Sequence, residues 1–185
     1  MERAIYVISG IPGAGKTTVS RGLAQRFERG VHIESDLLQE LIVTGGVGPD
    51  GEPWGPGGVR GGREEGRRQL RLRGRHVCML ADSFFESGFT TVIDDVVIGT
   101  RLDEFRSDIR NRPLLFIALA PSLAAVKQRD AGRPEKHVFD TWRHLDDTMR
   151  NETPPIGLWI DSSSMTAEET VEEILRRAWP DASIT

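Results

Sequence analysis

The sequence has little of what typically stabilises secreted or membrane proteins. Its only cysteine, Cys78, cannot form an internal disulfide, which suits a reducing compartment. No apolar run approaches the roughly 20 residues that span a bilayer. The first residues lead directly into a strand-like segment, without the basic and then apolar leader of a secreted protein. We therefore expect a cytoplasmic protein with no membrane partner.

An excess of charge of one sign is also absent. The chain has 24 Lys and Arg against 28 Asp and Glu, a net charge of −4. This balance argues against binding to nucleic acid or membranes through bulk charge, although it leaves room for a local basic patch. With 185 residues and 38% hydrophobic content, the chain has the size of one domain. We expect residues 1–185 to form a single domain.

Short apolar segments alternate with helical patterns along the chain. The apolar segments cover residues 4–9, 31–34, 91–93, 114–119 and 158–160. One helix is predicted around residues 37–43, and the best-marked helix follows the last apolar segment, where Thr166 and Glu169 form a capping-box pattern. Because parallel strands need crossover connections, this alternation predicts an α/β fold: a five-stranded parallel sheet with helices on both faces.

One segment interrupts this alternation. Residues 45–62 are crowded with glycine and proline around Trp54, so they cannot form a regular element. Long loops inside compact domains often act as lids or binding loops, and disorder is the alternative. Trp54 favours a loop that covers a substrate.

A phosphate-binding pattern follows the first predicted strand. Residues 10–17 match G-x-x-x-x-G-K-[ST], the P-loop motif, and they lie where that motif requires, between a strand and a helix. The glycines allow successive backbone N–H groups to face one concavity, at the positive end of the helix. The predicted nucleotide contacts are Gly10, Gly13, Ala14, Gly15, Lys16, Thr17 and Thr18.

Three of these residues have separate predicted tasks. Lys16 would reach the β- and γ-phosphates of ATP, and the Thr17 hydroxyl would hold Mg²⁺. Thr18 fits either an α-phosphate contact or ordinary helix packing. The motif thus predicts ATP and Mg²⁺ as cofactors.

Acidic residues follow two of the predicted strands. Asp36 comes after the second strand, at the sheet edge where ligands of open α/β sheets bind, and could accept the proton of an acceptor hydroxyl. Its alternative role is to cap the next helix. Asp94 and Asp95 end the third strand in the pattern of a Walker B element. Because successive strand residues point to opposite sides, we predict that Asp94 faces magnesium and that Asp95 turns toward the acceptor or caps the next segment.

Two groups of arginines are candidates for anion contacts. Arg129 and Arg133 follow the fourth strand and its helix, where they could neutralise charge on a transferring phosphoryl group. A solvated helix end is the alternative for this pair. A second set recurs at steps of three or four residues, which predicts one helical face: Arg60, Arg63, Arg67, Arg71 and Arg75. This face could bind an anionic acceptor or RNA, but we interpret it as a solvated surface.

Together these motifs resemble the chloramphenicol phosphotransferase-like group of P-loop kinases, which is related to adenylate, gluconate and shikimate kinases. The resemblance is carried by the P-loop, residues 34–38, residues 92–97 and the Arg129/Arg133 pair, and it extends over nearly the whole chain. It implies a three-layer fold with strand order 2-3-1-4-5, Asp36 as the acceptor-side base and a lid around residues 127–137. It also implies that the loop after the last strand, with Ser162, lies beside the adenine.

The resulting hypothesis is an ATP- and Mg²⁺-dependent kinase that moves the γ-phosphoryl group to a hydroxyl of a small molecule, a metabolite or an antibiotic. A polynucleotide 5′-hydroxyl kinase is a second hypothesis, in which the arginine face grips the strand, but the acidic balance of the chain favours the small molecule. A third hypothesis is a P-loop ATPase or switch without an acceptor, which would need no base at Asp36. The sequence does not predict the oligomeric state.

Overall fold

The structure, a computed structural model, describes residues 2–132 and 139–184, and in it strands alternate with helices along the chain. The strands are β1 (Ile5–Ser9), β2 (Gly30–Glu34), β3 (Thr90–Asp94), β4 (Leu114–Leu119) and β5 (Leu158–Ile160). The helices are α1 (Lys16–Ala24), α2 (Ser35–Glu40), α3 (Gly62–Glu86), α4 (Arg101–Asp108), α5 (Leu123–Ala131), α6 (Phe139–Trp142), α7 (Leu145–Glu152) and α8 (Ala167–Asp181).

All five strands run parallel in one sheet, in the order β2-β3-β1-β4-β5. The first strand lies at the centre, with Ile5 opposite both Thr91 of β3 and Leu114 of β4. Every residue of β1, β3 and β4 is buried, as expected for parallel strands that helices cover on both faces. The predicted five-stranded parallel sheet and its strand order are confirmed.

Two helical layers cover this sheet. Helix α1 packs on β2 and β3 and contacts α8, which packs on β4 and β5. Helix α3 also packs on β2 and β3, and it contacts α2 and α4. The predicted capping box of α8 is present, with Thr166 and Glu169 each bonded to the other's backbone N–H. Within residues 2–132 and 139–184, none of the helices combines the length and apolarity needed to cross a lipid bilayer.

The second helix differs from its prediction. It covers Ser35–Glu40 instead of residues 37–43, and therefore begins directly at the end of β2. The Ser35 hydroxyl explains this early start, because it donates a hydrogen bond of 2.8 Å to the carbonyl of Asp94 and fastens the helix to the neighbouring strand. As a result Asp36 lies in the first turn of α2, beside the end of β3.

Residues 45–61 form a compact loop before α3. The Gly45 N–H donates to the Gly57 carbonyl at 2.9 Å, which joins the two halves of the loop. Gln69 of α3 closes it, since its side chain accepts from the Val47 N–H and donates to the Gly45 carbonyl, both at 2.9 Å. A Cβ at Gly57 would lie 2.0 Å from a backbone oxygen, so this packing requires glycine there. The loop thereby holds Trp54 in a defined place.

Candidate active site

A cavity of about 460 Å³ opens where β1, β2 and β3 end. Open parallel sheets bind their ligands at this carboxyl edge. We call its first side the P-loop wall, formed by Pro12, Gly13, Gly15, Lys16, Thr17 and Thr18. We call a second, apolar side the aromatic wall, formed by Pro49, Trp54, Leu70, Trp142 and Leu145. Acidic residues at the ends of β2 and β3 and in α2 also line it: Glu34, Asp36, Asp94 and Asp95.

The P-loop has a conformation suited to binding phosphate. Gly13 and Gly15 have φ angles of 93° and 97°, in the left-handed region that favours glycine. Gly10 has no room for a side chain, since a Cβ there would lie 2.7 Å from the carbonyl oxygen of Leu119. Helix α1 begins at Lys16, so the N–H groups of its first turn have no partner within the helix. The P-loop wall is therefore an anion-binding site built from backbone.

The predicted P-loop contacts occupy different places around this site. Lys16, Thr17 and Thr18 line the cavity, and the Lys16 ammonium also donates to the Ile11 carbonyl at 3.3 Å. Ala14 is buried, and its N–H donates to the Ile11 carbonyl at 3.1 Å, so its amide serves the turn itself. The two threonines are exposed and their hydroxyls can reach a bound ligand.

Asp94 ends β3 with a carboxylate oxygen that accepts no hydrogen bond from the described residues. This oxygen, Oδ2, is buried. His32 Nε2 lies 3.7 Å away and is likewise buried without a hydrogen bond. A buried carboxylate oxygen without a partner is costly, and it marks a position where a cation or a bound water would be stabilised.

Asp95, the next residue, is instead held between two arginines. Its Oδ1 accepts hydrogen bonds from Arg73 at 2.8 Å and from the Val96 N–H at 2.7 Å, and its Oδ2 accepts from Arg101 at 2.9 Å. Burial alone would raise the pKa of Asp95, but the guanidinium groups of Arg101 and Arg73 outweigh it and hold that pKa well below its usual range. Asp95 is therefore an ionised group committed to ion pairs.

Asp36 lines the cavity from the first turn of α2. Its side chain is 49% exposed, and its Oδ1 accepts a hydrogen bond of 3.1 Å from Arg73. Arg73 itself is only 8% exposed and joins Asp36 to Asp95 from the middle of α3. The N-cap position of α2 is Glu34, so Asp36 does not occupy the cap that was its alternative role.

The aromatic wall combines residues from distant parts of the chain. Trp54 comes from the loop before α3, Leu70 from α3, Trp142 from α6 and Leu145 from α7. All four are half-buried, so each leaves part of its apolar surface open to the cavity. Small-molecule sites typically combine such surfaces with a few polar groups that fix orientation.

Arg129 contacts backbone on both sides of the predicted nucleotide site. From the end of α5 it donates to the carbonyls of Ala14 at 3.2 Å, of Met165 at 3.3 Å and of Ser162. It therefore ties the P-loop to the loop that follows β5. Its predicted contact with a transferring phosphoryl group stays a prediction. Arg133 and residues 134–137 of the predicted lid segment 127–137 lie outside the described residues.

Ser162 lies in the loop that the resemblance places beside adenine. It is buried, and its hydroxyl has no hydrogen-bond partner among the described residues. The loop is held by Ser163, whose hydroxyl accepts from the Ser122 N–H at 2.8 Å. Through Arg129 this loop is linked to the P-loop, as a nucleotide that contacts both would require.

The predicted arginine face of α3 is partly neutralised. Arg71 pairs with Asp108 and, at 3.6 Å, with Glu104, both on α4. Arg60, before the helix, pairs with Glu52 at 2.9 Å. The other three arginines of the set are exposed, as a solvated face would be.

Sequence reasoning missed several residues that line the cavity, among them Arg73, Arg101 and Trp142. Arg73 could have been predicted as a buried ion-pair residue. It lies four residues before Val77 on the apolar face of α3, where a cation is rarely buried without a partner. Arg101 begins α4, and no local pattern connects it to Asp95. Trp142 lies in a helix of four residues, too short for a periodic pattern.

The fold and this cavity together define a P-loop kinase fold related to small-molecule kinases. A sugar kinase from a Janibacter species has a TM-score of 0.68 at 20% identity, with 95% of this chain and 94% of that chain covered. A shikimate kinase from Acinetobacter baumannii has a TM-score of 0.60 at 21% identity, with coverages of 94% and 92%. The Deinococcus radiodurans tunicamycin resistance protein has a TM-score of 0.61 at 18% identity, with 100% of this chain and 100% of that chain covered.

The sequence profile of one family matches residues 3–179, nearly the whole chain. The chain belongs to the chloramphenicol phosphotransferase-like protein family. Among curated proteins, none has a significant sequence match to it.

Proposed function

We propose that the protein is an ATP- and Mg²⁺-dependent phosphotransferase that moves the γ-phosphoryl group of ATP to a hydroxyl of a small, neutral and largely apolar acceptor. One observation carries this proposal: a single cavity brings together the P-loop, an Asp94 carboxylate oxygen that accepts no hydrogen bond from the described residues, the carboxylate of Asp36 and an aromatic wall. An ATPase without an acceptor needs the first two features only.

ATP would bind along the P-loop wall and the Arg129-linked loop. The backbone N–H groups at the start of α1 would receive the phosphates, and Lys16 would contact the β- and γ-phosphates. Thr18 would contact the α-phosphate, and the loop at Ser162 would lie beside the adenine. Arg129 would keep these two binding elements at a constant separation, and Arg133 stays a predicted phosphoryl contact.

Mg²⁺ fits the residues that the cavity offers. Magnesium usually keeps several waters and is held by one or two carboxylates plus substrate phosphates. The Thr17 hydroxyl and the Asp94 oxygen that accepts no hydrogen bond from the described residues would supply the protein's share. The described part of the chain has no cluster of three or more His, Cys, Asp or Glu for a metal, which is compatible with a site that the nucleotide completes. When bound, the ion would neutralise charge on the β- and γ-phosphates.

Asp36 would act on the acceptor. In the transfer step the acceptor oxygen bonds to the γ-phosphorus, the bond from that phosphorus to the bridging oxygen of ADP breaks, and the hydroxyl proton passes to the Asp36 carboxylate. A half-exposed carboxylate beside the end of β3 is accessible to a ligand in the cavity.

The acceptor's character follows from the walls that would surround it. Trp54, Trp142 and the leucines of the aromatic wall favour an apolar or aromatic body. Arg73 and Arg101 are both paired with carboxylates, so neither positive charge is left over for an anionic acceptor. We therefore favour a neutral alcohol over the carboxylated substrate that the shikimate kinase complex contains.

A panel of acceptors tests this function directly. The protein would be incubated with MgATP and neutral aryl alcohols, chloramphenicol among them, alongside sugars, shikimate, gluconate and a 5′-hydroxyl oligonucleotide. Mass spectrometry would detect phosphorylated products, and an ADP assay would give the stoichiometry. We expect one product phosphate per ADP with a neutral apolar alcohol. ADP formation without any phosphorylated product would support a switch or ATPase, and transfer to the oligonucleotide with steep salt dependence would support a polynucleotide kinase.

A further inference from the structure

We propose that Arg73 is a positioning residue that holds the Asp36 carboxylate in place, and that Asp95 and Arg101 anchor Arg73 for this task. The inference rests on the proposed function, because it assigns Asp36 to the acceptor. It also assigns Asp95 a role distinct from metal binding, although Asp95 directly follows the metal-side residue Asp94.

The contacts form a continuous chain of charges. Arg73 extends one Nη to Asp36 Oδ1 at 3.1 Å and the other to Asp95 Oδ1 at 2.8 Å. Arg101 donates to the second Asp95 oxygen at 2.9 Å and also to the Val96 carbonyl. Two cations and two anions therefore alternate from α4, through the residue after β3 and through α3, to α2.

Burial differs sharply along this chain. The side chains of Asp95 and Arg73 are 1% and 8% exposed, whereas that of Asp36 is 49% exposed. Each carboxylate oxygen of the buried Asp95 is bonded to an arginine, so Asp95 cannot change rotamer without breaking ion pairs that water would poorly replace. A half-exposed aspartate in the first turn of a short helix has no such restriction from burial. The buried end of the chain is thus the fixed point from which Arg73 holds the exposed end.

Only a planar two-pronged cation can make this bridge. The guanidinium of arginine presents separate N–H donors in a rigid fork, whereas the lysine ammonium is a single point charge. Replacement by lysine would keep the charge near both carboxylates but would lose the fixed geometry. Lysine therefore separates a positioning role from simple charge neutralisation.

The consequence for catalysis is geometric. Displacing a catalytic group by about 1 Å can cost on the order of 10²-fold in rate, because the reacting atoms must be aligned before transfer. We expect Arg73→Lys and Arg73→Met to slow transfer by about 10- to 100-fold while leaving the KM for ATP within about twofold. We expect Asp95→Asn to act in the same direction, since it weakens the anchor of Arg73 and leaves the P-loop wall unchanged.

The decisive measurement needs no acceptor. Crystal structures of the wild type, Arg73→Lys and Asp95→Asn, each with a non-hydrolysable ATP analogue and Mg²⁺, would locate the Asp36 carboxylate. Arg75→Met is the matched control, because Arg75 is an exposed arginine on the same helix. Thermal unfolding would establish that each variant is folded, and analogue affinity would establish that the P-loop wall is unchanged. Transfer would be followed with chloramphenicol and the aryl alcohols of the acceptor panel.

In both variants we expect the Asp36 carboxylate to be displaced or to adopt several positions. The affinity for the ATP analogue should be normal, and Arg75→Met should behave like the wild type. An Asp36 carboxylate that keeps its wild-type position in Arg73→Lys and in Asp95→Asn would overturn the inference, whatever the panel shows. Full transfer activity of Arg73→Lys would also overturn it. If the wild type phosphorylates none of the panel, the proposed function fails, while the position of Asp36 in the variants still decides whether Arg73 holds it.

Discussion

At the P-loop wall the ligand would meet backbone, whereas at the aromatic wall it would meet side chains. The P-loop wall comes from one short segment, the P-loop motif and the residue after it, and its shape depends on glycine conformation. The aromatic wall and Asp36 draw on α2, α3, α6, α7 and the loop at residues 45–61. Backbone donors serve any polyphosphate, while a wall of side chains can vary without changing the sheet. We therefore expect P-loop changes to stop transfer to every acceptor, and aromatic-wall changes to alter acceptor preference.

The largest effect is expected from Lys16→Ala. Loss of the cation near the γ-phosphate should reduce transfer by about 10³- to 10⁵-fold, the range known for an arginine that stabilises the same charge. Stability should be unchanged, because Lys16 lies in the cavity lining and not in the core. Turnover and thermal unfolding would be measured together, with Arg75→Ala as control. A loss of stability large enough to explain the inactivity would make Lys16 a structural residue.

Asp36→Asn probes the opposite side of the cavity. Asparagine keeps an oxygen that can accept the Arg73 hydrogen bond but cannot take a proton, so transfer should fall by about 10²- to 10⁴-fold. ATP affinity should be preserved, since the P-loop wall is untouched. Rapid-mixing kinetics and nucleotide titration would separate the two quantities. Near-normal transfer by this variant would remove Asp36 from the proton transfer.

Asp94 and Asp95 allow a comparison between neighbours. Asp94→Asn should weaken the apparent affinity for Mg²⁺ by about 10- to 100-fold, with little loss of stability. Asp95→Asn should leave Mg²⁺ affinity nearly normal but lower the free energy of unfolding by about 3 kcal/mol, because it removes the shared anion of a buried ion pair. Magnesium titration of transfer and chemical denaturation would measure both. The reverse pattern would make Asp95 the metal-side residue.

The smallest effect is expected at Trp54. Trp54→Ala removes an aromatic surface from the cavity, and the KM for an apolar acceptor should rise about tenfold while the KM for ATP stays constant. Trp54→Phe, which keeps a ring, should retain most of the affinity. Steady-state kinetics with the best acceptor of the panel would show this. A parallel rise in both KM values would instead indicate that the loop supports the whole cavity.

Most of the fold could be predicted from the sequence because its determinants are local. Buried parallel strands are continuous apolar runs, and the P-loop motif sets both a turn and the start of a helix. Residues 45–62 were also predicted to lack regular structure. The first residue of α2 could not be predicted, since the start of the helix depends on a hydrogen bond from Ser35 to Asp94, a residue 59 positions away.

The candidate site was predictable only where one motif contains it. Asp36 and Asp94 could be proposed because each follows an apolar strand, and strand ends meet at one edge. The partners of Arg73 are 37 and 22 positions away, and no periodicity connects them. The aromatic wall likewise forms only when the fold brings residues 54 and 142 to the same cavity. Such side-chain groupings follow from tertiary structure and have no local signature.

The central place of β1 has a consequence for the order in which the protein can assemble on the ribosome. Its five buried residues are synthesised first, but the strands that pair with it begin only at Thr90 and Leu114. At the usual pace of synthesis, the delay between β1 and these two partner strands is on the order of 5–20 s. The P-loop turn at Gly10 lies against Leu119, so a nascent chain should not hold this turn in its final shape until Leu119 is available, and β1 would need shielding from aggregation until then.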